Sequence, residues 1–105
     1  MSTFAPTRAQ TFQRLLEAEP EIRQLGIRRL ALFGSVARDE ARPDSDVDLL
    51  VEFAPGEKSF DRFMALSDLL ETLLRHRVEL VTVEALSPFI GPHILAEAAD
   101  VLRAA

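Results

Sequence analysis

Apolar residues recur along the chain with two different periods, and the switches between them divide it into alternating helices and strands. From about Thr7 to Leu25, the residues Phe12, Leu15, Leu16, Ile22 and Leu25 keep helical spacing, and Pro20 breaks the stretch in two. Arg29 to Phe33 reads as a strand ended by Gly34 and Ser35, and Val36 to Ala41 has room for only a turn or two of helix before a loop at Arg42 to Ser45. A second strand is expected from about Asp46 to Phe53. Ala54 to Ser59 contains Pro55 and Gly56 and reads as a loop, with Ser59 placed to cap a helix bearing Phe60, Phe63, Met64, Leu66, Leu70, Leu73 and Leu74. Arg77 to Val83 reads as a third strand. Ile94, Leu95, Ala98, Val101 and Leu102 predict a final helix over about Pro92 to Leu102.

The lengths of the connections set the strand directions. Ten residues separate Ser35 from Asp46, too few for an ordinary parallel crossover, so strands one and two are expected to be antiparallel. Ala54 to His76 is long enough for a crossover helix, which lets strand three run parallel to strand two with the usual right hand. The expected fold class is α/β (α+β), a small mixed sheet of at least three strands with helices packed on it. With 105 residues and no internal repeat or linker, the chain fits one domain over residues 1–105.

These directions bring three features to one sheet edge: the turn at Gly34 and Ser35, the pair Asp46 and Asp48, and Glu79. Residues two apart in a strand point to one face about 6 to 7 Å apart, so Asp46 and Asp48 project together while Val47, Leu49, Val51 and Phe53 face the core. Two carboxylates at that distance repel by about 2 to 3 kcal/mol at an effective dielectric near 20. A hard divalent cation such as Mg²⁺ removes that repulsion, and it is typically held by one or two carboxylates together with substrate phosphates. Gly34 allows close backbone approach, and the amides of the following turn with the Ser35 hydroxyl suit phosphate oxygens. Acids on one side and phosphate donors on the other describe a site for phosphoryl-type chemistry.

Composition narrows the classes further. The chain has no cysteine, which excludes disulfides, thiolate zinc sites and cysteine nucleophiles. Its net charge is −5, contrary to the basic surface expected of a nonspecific nucleic-acid binder. Eleven of its twelve basic residues are Arg, which favours planar contacts to phosphate or carboxylate. No apolar run near Met1 suggests a signal peptide or a membrane span, so a cytoplasmic protein is expected. His76 and His93 have no visible partner and read as surface residues. Phe89 and Ile90 form a short apolar segment in a loop.

The stretch Leu30-Ala31-Leu32-Phe33-Gly34-Ser35, the ten-residue gap and Asp46-Val47-Asp48-Leu49-Leu50-Val51 resemble the Gly-Ser-x10-Asp-x-Asp signature of the DNA polymerase beta-like nucleotidyltransferases. The chain as a whole is similar to the smallest members, the minimal nucleotidyltransferase antitoxins that accompany HEPN-domain toxins. The resemblance implies that Asp46 and Asp48 bind two Mg²⁺ ions, that Glu79 stands where the family has its third carboxylate, and that Gly34 and Ser35, with Arg38 nearby, hold the triphosphate of ATP. It implies transfer of AMP to a tyrosine hydroxyl of the partner toxin. Two departures stand out. Members often carry Arg or Tyr after Gly-Ser and then Ala-Arg-Gly, where this chain has Val36 and Asp39, and the third acid is Glu rather than Asp. The alternative expectation is an antitoxin with a weak or idle site that neutralises its toxin by binding it.

Overall fold

The computed structural model describes residues 5–103, so the expectation of a leaderless start at Met1 falls partly outside them. In chain order the elements are α1 (Arg8–Glu17), α2 (Glu19–Gln24), β1 (Ile27–Phe33), α3 (Gly34–Ala37), β2 (Val47–Phe53), α4 (Phe60–Leu74), β3 (Val78–Thr82), α5 (Gly91–Glu97) and β4 (Ala99–Leu102), with a single 3₁₀ turn at Val83–Ala85. Local chemistry accounts for most boundaries. Pro20 lies in the first turn of α2, where its missing N–H removes no helical hydrogen bond. Ser59 caps α4 by accepting from the Arg62 N–H at 3.1 Å, and α4 closes at Arg75 in a left-handed conformation, φ 57°.

The four strands lie in the order β3-β2-β1-β4. β1 and β2 are antiparallel and β3 is parallel to β2, the directions that the connection lengths require. One expectation is overturned. The final helix stops at Glu97, and Ala99–Leu102 becomes a strand antiparallel to β1. Val101 and Leu102 satisfy a helical stripe as well as a strand. They are drawn into the sheet because β1 would otherwise leave a buried edge unpaired, with Leu30 and Leu32 facing no ladder partner.

The period-two alternation sorts the sheet into two faces. Leu30, Leu32, Val47, Leu49 and Val51 pack with Leu15, Ile22, Leu66 and Leu70 from the helices, and this is the main core. Each such side chain, fully buried, stabilises by about 1.5 to 3 kcal/mol. The other face carries a smaller cluster of Ala31, Phe33 and Leu50 packed with Val81, Leu86, Ile94 and Ala98. That second face is thinly covered, and it is where the acids emerge. No helix among the described residues is long and apolar enough to cross a membrane.

Candidate active site

Because β1 and β2 run antiparallel, the end of β1 lies beside the start of β2, and the parallel β3 begins at that same edge. In register, Asp48 pairs with Phe33 on one side and with Glu79 on the other. Asp48 shares its parity with Leu50 and Glu79 shares its parity with Val81, so both carboxyls rise on the thinly covered face. Asp46 lies one residue before β2. Asp48 and Glu79 therefore stand side by side on neighbouring strands, with Asp46 just ahead of them in the loop.

Asp48 is the centre of the group. Burial, a hydrogen bond shared with the Glu79 carboxyl, and the charges of Glu79, Asp46 and Glu97 together raise its pKa to about 6. A carboxyl so placed is short of positive charge. Among the described residues no three His, Cys, Asp or Glu side chains are grouped tightly enough to enclose a metal by themselves. The oxygen-only donor set around Asp48 nevertheless fits Mg²⁺, which completes its shell from water and phosphate oxygens.

Gly34 has a specific reason to be glycine. Its φ is +77°, and a Cβ there would lie 2.1 Å from Asp48 Oδ2. The close approach that this glycine permits is therefore to a carboxylate of the protein itself. Ser35 follows in α3, whose N-terminus has no side-chain cap, so the first-turn amides have no competing side chain.

Arg38 is exposed at the end of α3 and is held by two acids. Its Nε donates to Glu40 Oε1 at 2.7 Å and its Nη1 to Glu97 Oε1. The bond to Glu97, then that to Glu40, holds its pKa above the ordinary value. Glu97 is the group that sequence reasoning missed. It stands 59 residues from Arg38, and only the docking of α5 against α3 brings it into the field of Asp48.

The departure at Asp39 is compensated locally. Asp39 adopts φ 56°, a left-handed conformation that explains why glycine suits this position and that Asp tolerates better than most residues. Its Oδ1 also accepts from the Arg8 N–H at 2.9 Å, while Arg8 Nη1 donates to the Ala37 carbonyl at 2.9 Å. The start of α1 is thus tied to the end of the glycine-serine turn. His93 is exposed, His76 is half-buried, and Phe89 is 88% exposed.

Comparison with known proteins decides the family, because the model of the nucleotidyltransferase domain matches residues 15–101. The chain belongs to this nucleotidyltransferase family. It is 39% identical over 83 residues to a candidate protein adenylyltransferase of Methanocaldococcus jannaschii, covering 79% of this chain and 88% of that one. It is 42% identical over 78 residues to the protein adenylyltransferase MntA of Thermococcus cleftensis, covering 73% and 78%. A solved structure of a candidate minimal nucleotidyltransferase superposes with a TM-score of 0.78 at 36% identity, covering 89% of this chain and 94% of that chain. More distant chains share the fold. One belongs to a toxin-antitoxin structure with AMP-PNP, with a TM-score of 0.68 at 19% identity, covering 84% and 73%. Another belongs to the complex of a tri-AMPylated Shewanella oneidensis HEPN toxin with its MNT antitoxin, with a TM-score of 0.62 at 18% identity, covering 88% and 72%.

Proposed function

We propose that this nucleotidyltransferase is an antitoxin that transfers AMP from ATP, with Mg²⁺, to a tyrosine hydroxyl of a HEPN-domain toxin in the cytoplasm. The observation that carries the reading is the Asp48–Glu79 carboxyl pair on neighbouring strands, with Asp48 packed against a glycine that has no room for a side chain. The activity of the MntA relative and the shared fold of the toxin-bound antitoxin chain support it.

In this reading Asp46 and Asp48 hold Mg²⁺, two ions in all with Glu79 as the third acid, and Gly34, Ser35 and Arg38 take the triphosphate. Mg²⁺ bound there supplies positive charge against the phosphate oxygens. The residues of the chain do the rest by placement. Ser35 and the turn amides orient the phosphates so that the α-phosphorus faces the acids. Glu79, exposed at the edge, draws in the acceptor hydroxyl and takes its proton. The bond from the tyrosine oxygen to the α-phosphorus forms as the α–β phosphoanhydride bond breaks, and pyrophosphate leaves.

Incubation with labelled ATP, Mg²⁺ and a partner HEPN toxin is expected to label the toxin, and Asp46→Asn with Asp48→Asn to abolish the labelling. Equal labelling by that double variant overturns the reading. The engagement of Arg38 by Glu40 and Glu97 favours one alternative, an idle site on an antitoxin that acts by masking. Continued protection of cells by the double variant, with undiminished toxin binding, selects it.

A further inference from the structure

Arg38, at the end of α3, is shared by two acids of different origin. Its Nε donates to Glu40 and its Nη1 to Glu97, and among the described residues it is the one cation that enters two ion pairs. One guanidinium against two carboxylates leaves this cluster at a net −1. The charge of Glu97 also bears on Asp48. A triphosphate arriving at the Gly34–Ser35 turn therefore gains no net attraction from Arg38 until one of the two acids withdraws. The acids are not equally free to do so. Glu40 lies two residues from Arg38, and its N–H donates to the Ser35 carbonyl at 2.8 Å, so it travels with the turn. Glu97 belongs to α5, 59 residues away in sequence, and among the described residues its carboxylate accepts from no donor except Arg38.

We propose that Glu97 is the exchangeable counter-ion of Arg38 and so sets nucleotide affinity: it pairs with the guanidinium in the nucleotide-free chain and yields it to the triphosphate. The inference rests on the reading of Gly34, Ser35 and Arg38 as the triphosphate site. Both partners can part at little cost. The side chains of Arg38 and Glu97 are 50% and 30% exposed, and a pair so open to water holds by a factor of about five or less. Arg38 spends only two of its N–H donors on the acids, and a guanidinium has enough others for a planar double contact with phosphate oxygens. Charge-assisted bonds to phosphate are among the stronger ones, so the exchange favours the nucleotide. The engagement of Arg38 is then a closed, reversible state of a working site.

A double-mutant cycle on Mg²⁺-ATP binding tests this, by titration calorimetry near pH 8 without any acceptor, on the wild type, Glu97→Gln, Arg38→Gln and the two combined. Both side chains are open to solvent, so the four chains are expected to fold alike, as thermal melts would record. Glu97→Gln is expected to tighten binding, and to do so by a factor about three to five times greater with Arg38 present than without it. A Glu97 that acts only through its charge on the site gives the opposite: equal or greater tightening in the Arg38→Gln chain, where that charge is uncancelled. That outcome overturns the proposal. So does weaker binding by Glu97→Gln, the mark of an acid that holds Arg38 in place for phosphate, and so do unchanged binding or a wild type that binds no Mg²⁺-ATP. Transfer is read separately. The expected cycle in a chain that labels no acceptor keeps the exchange and removes the adenylyltransferase reading, whereas full labelling with no coupling between Glu97 and Arg38 does the reverse.

Discussion

Gly34 and Asp39 bracket the turn between β1 and the loop to β2, and both sit in left-handed backbone, yet they answer to different neighbours. At Gly34 the neighbour is Asp48 Oδ2, 2.1 Å from where a Cβ would be. Gly34→Ala must therefore displace the central acid as well as strain the backbone, and transfer is expected to fall by about 100-fold, the scale that follows a misplacement of about 1 Å at a reacting centre. A thermal melt alongside the transfer assay should show a loss of about 1 to 3 kcal/mol. At Asp39 the neighbour is the first N–H of α1. Asp39→Ala loses that acceptor while keeping an unfavourable φ, and is expected to cost about 1 to 2 kcal/mol. Asp39→Gly exchanges the lost bond for relief of strain and should melt within about 0.5 kcal/mol of the wild type. If the alanine and glycine variants melt alike, the backbone strain ascribed to position 39 is wrong; if the alanine variant melts with the wild type, the hydrogen bond to the Asp39 carboxylate contributes nothing.

At the scale of elements, what could be read in advance depended on whether local signals and tertiary demand agreed. β2 was legible because its alternation puts Val47, Leu49, Val51 and Phe53 on the main core face and leaves Asp48 opposite. α4 was legible because Ser59 announces its start. Ser59→Ala should accordingly cost about 1 kcal/mol in a denaturant melt and leave transfer unchanged, since the cap lies at the far end of α4 from the acids. The last segment was not legible. Its apolar residues fit a helical period, and the strand was chosen by a demand from β1 that no window of local sequence contains. A truncation there should behave as a core change: Leu102→Ala, at a residue 1% exposed, is expected to cost about 2 to 4 kcal/mol. Glu97 was hidden for the same reason, because it becomes a neighbour of Arg38 and Asp48 only once α5 has turned back so that β4 can pair with β1.

For the molecule as a whole, Asp46, Glu79 and Glu97 act together on Asp48 in a chain of net charge −5, so stability and metal affinity should respond to pH in opposite senses. Asp48 has a folded pKa of about 6, above its ordinary 3.8. Between these values the folded chain retains a proton that the unfolded chain has lost. Its contribution to stability is therefore complete below about pH 4 and disappears as the pH rises through about 6. Half-exposure screens the effect, which is expected to reach about 1 kcal/mol rather than the full value of the shift. Mg²⁺ reverses the sense, since it needs the carboxylate ionised and must displace that proton at low pH. At a free concentration ten times its dissociation constant it should stabilise by about 1.4 kcal/mol, raising the melting temperature by about 4 °C or more near pH 7.5 and by much less near pH 5. NaCl at equal ionic strength provides the comparison, because general screening of a net negative chain also raises the melt. Asp46→Asn with Asp48→Asn should melt higher than the wild type without Mg²⁺ near neutral pH, and lose the specific increment with it. An increment of the same size in that double variant would place the bound cation elsewhere and leave the repulsion at Asp48 unrelieved.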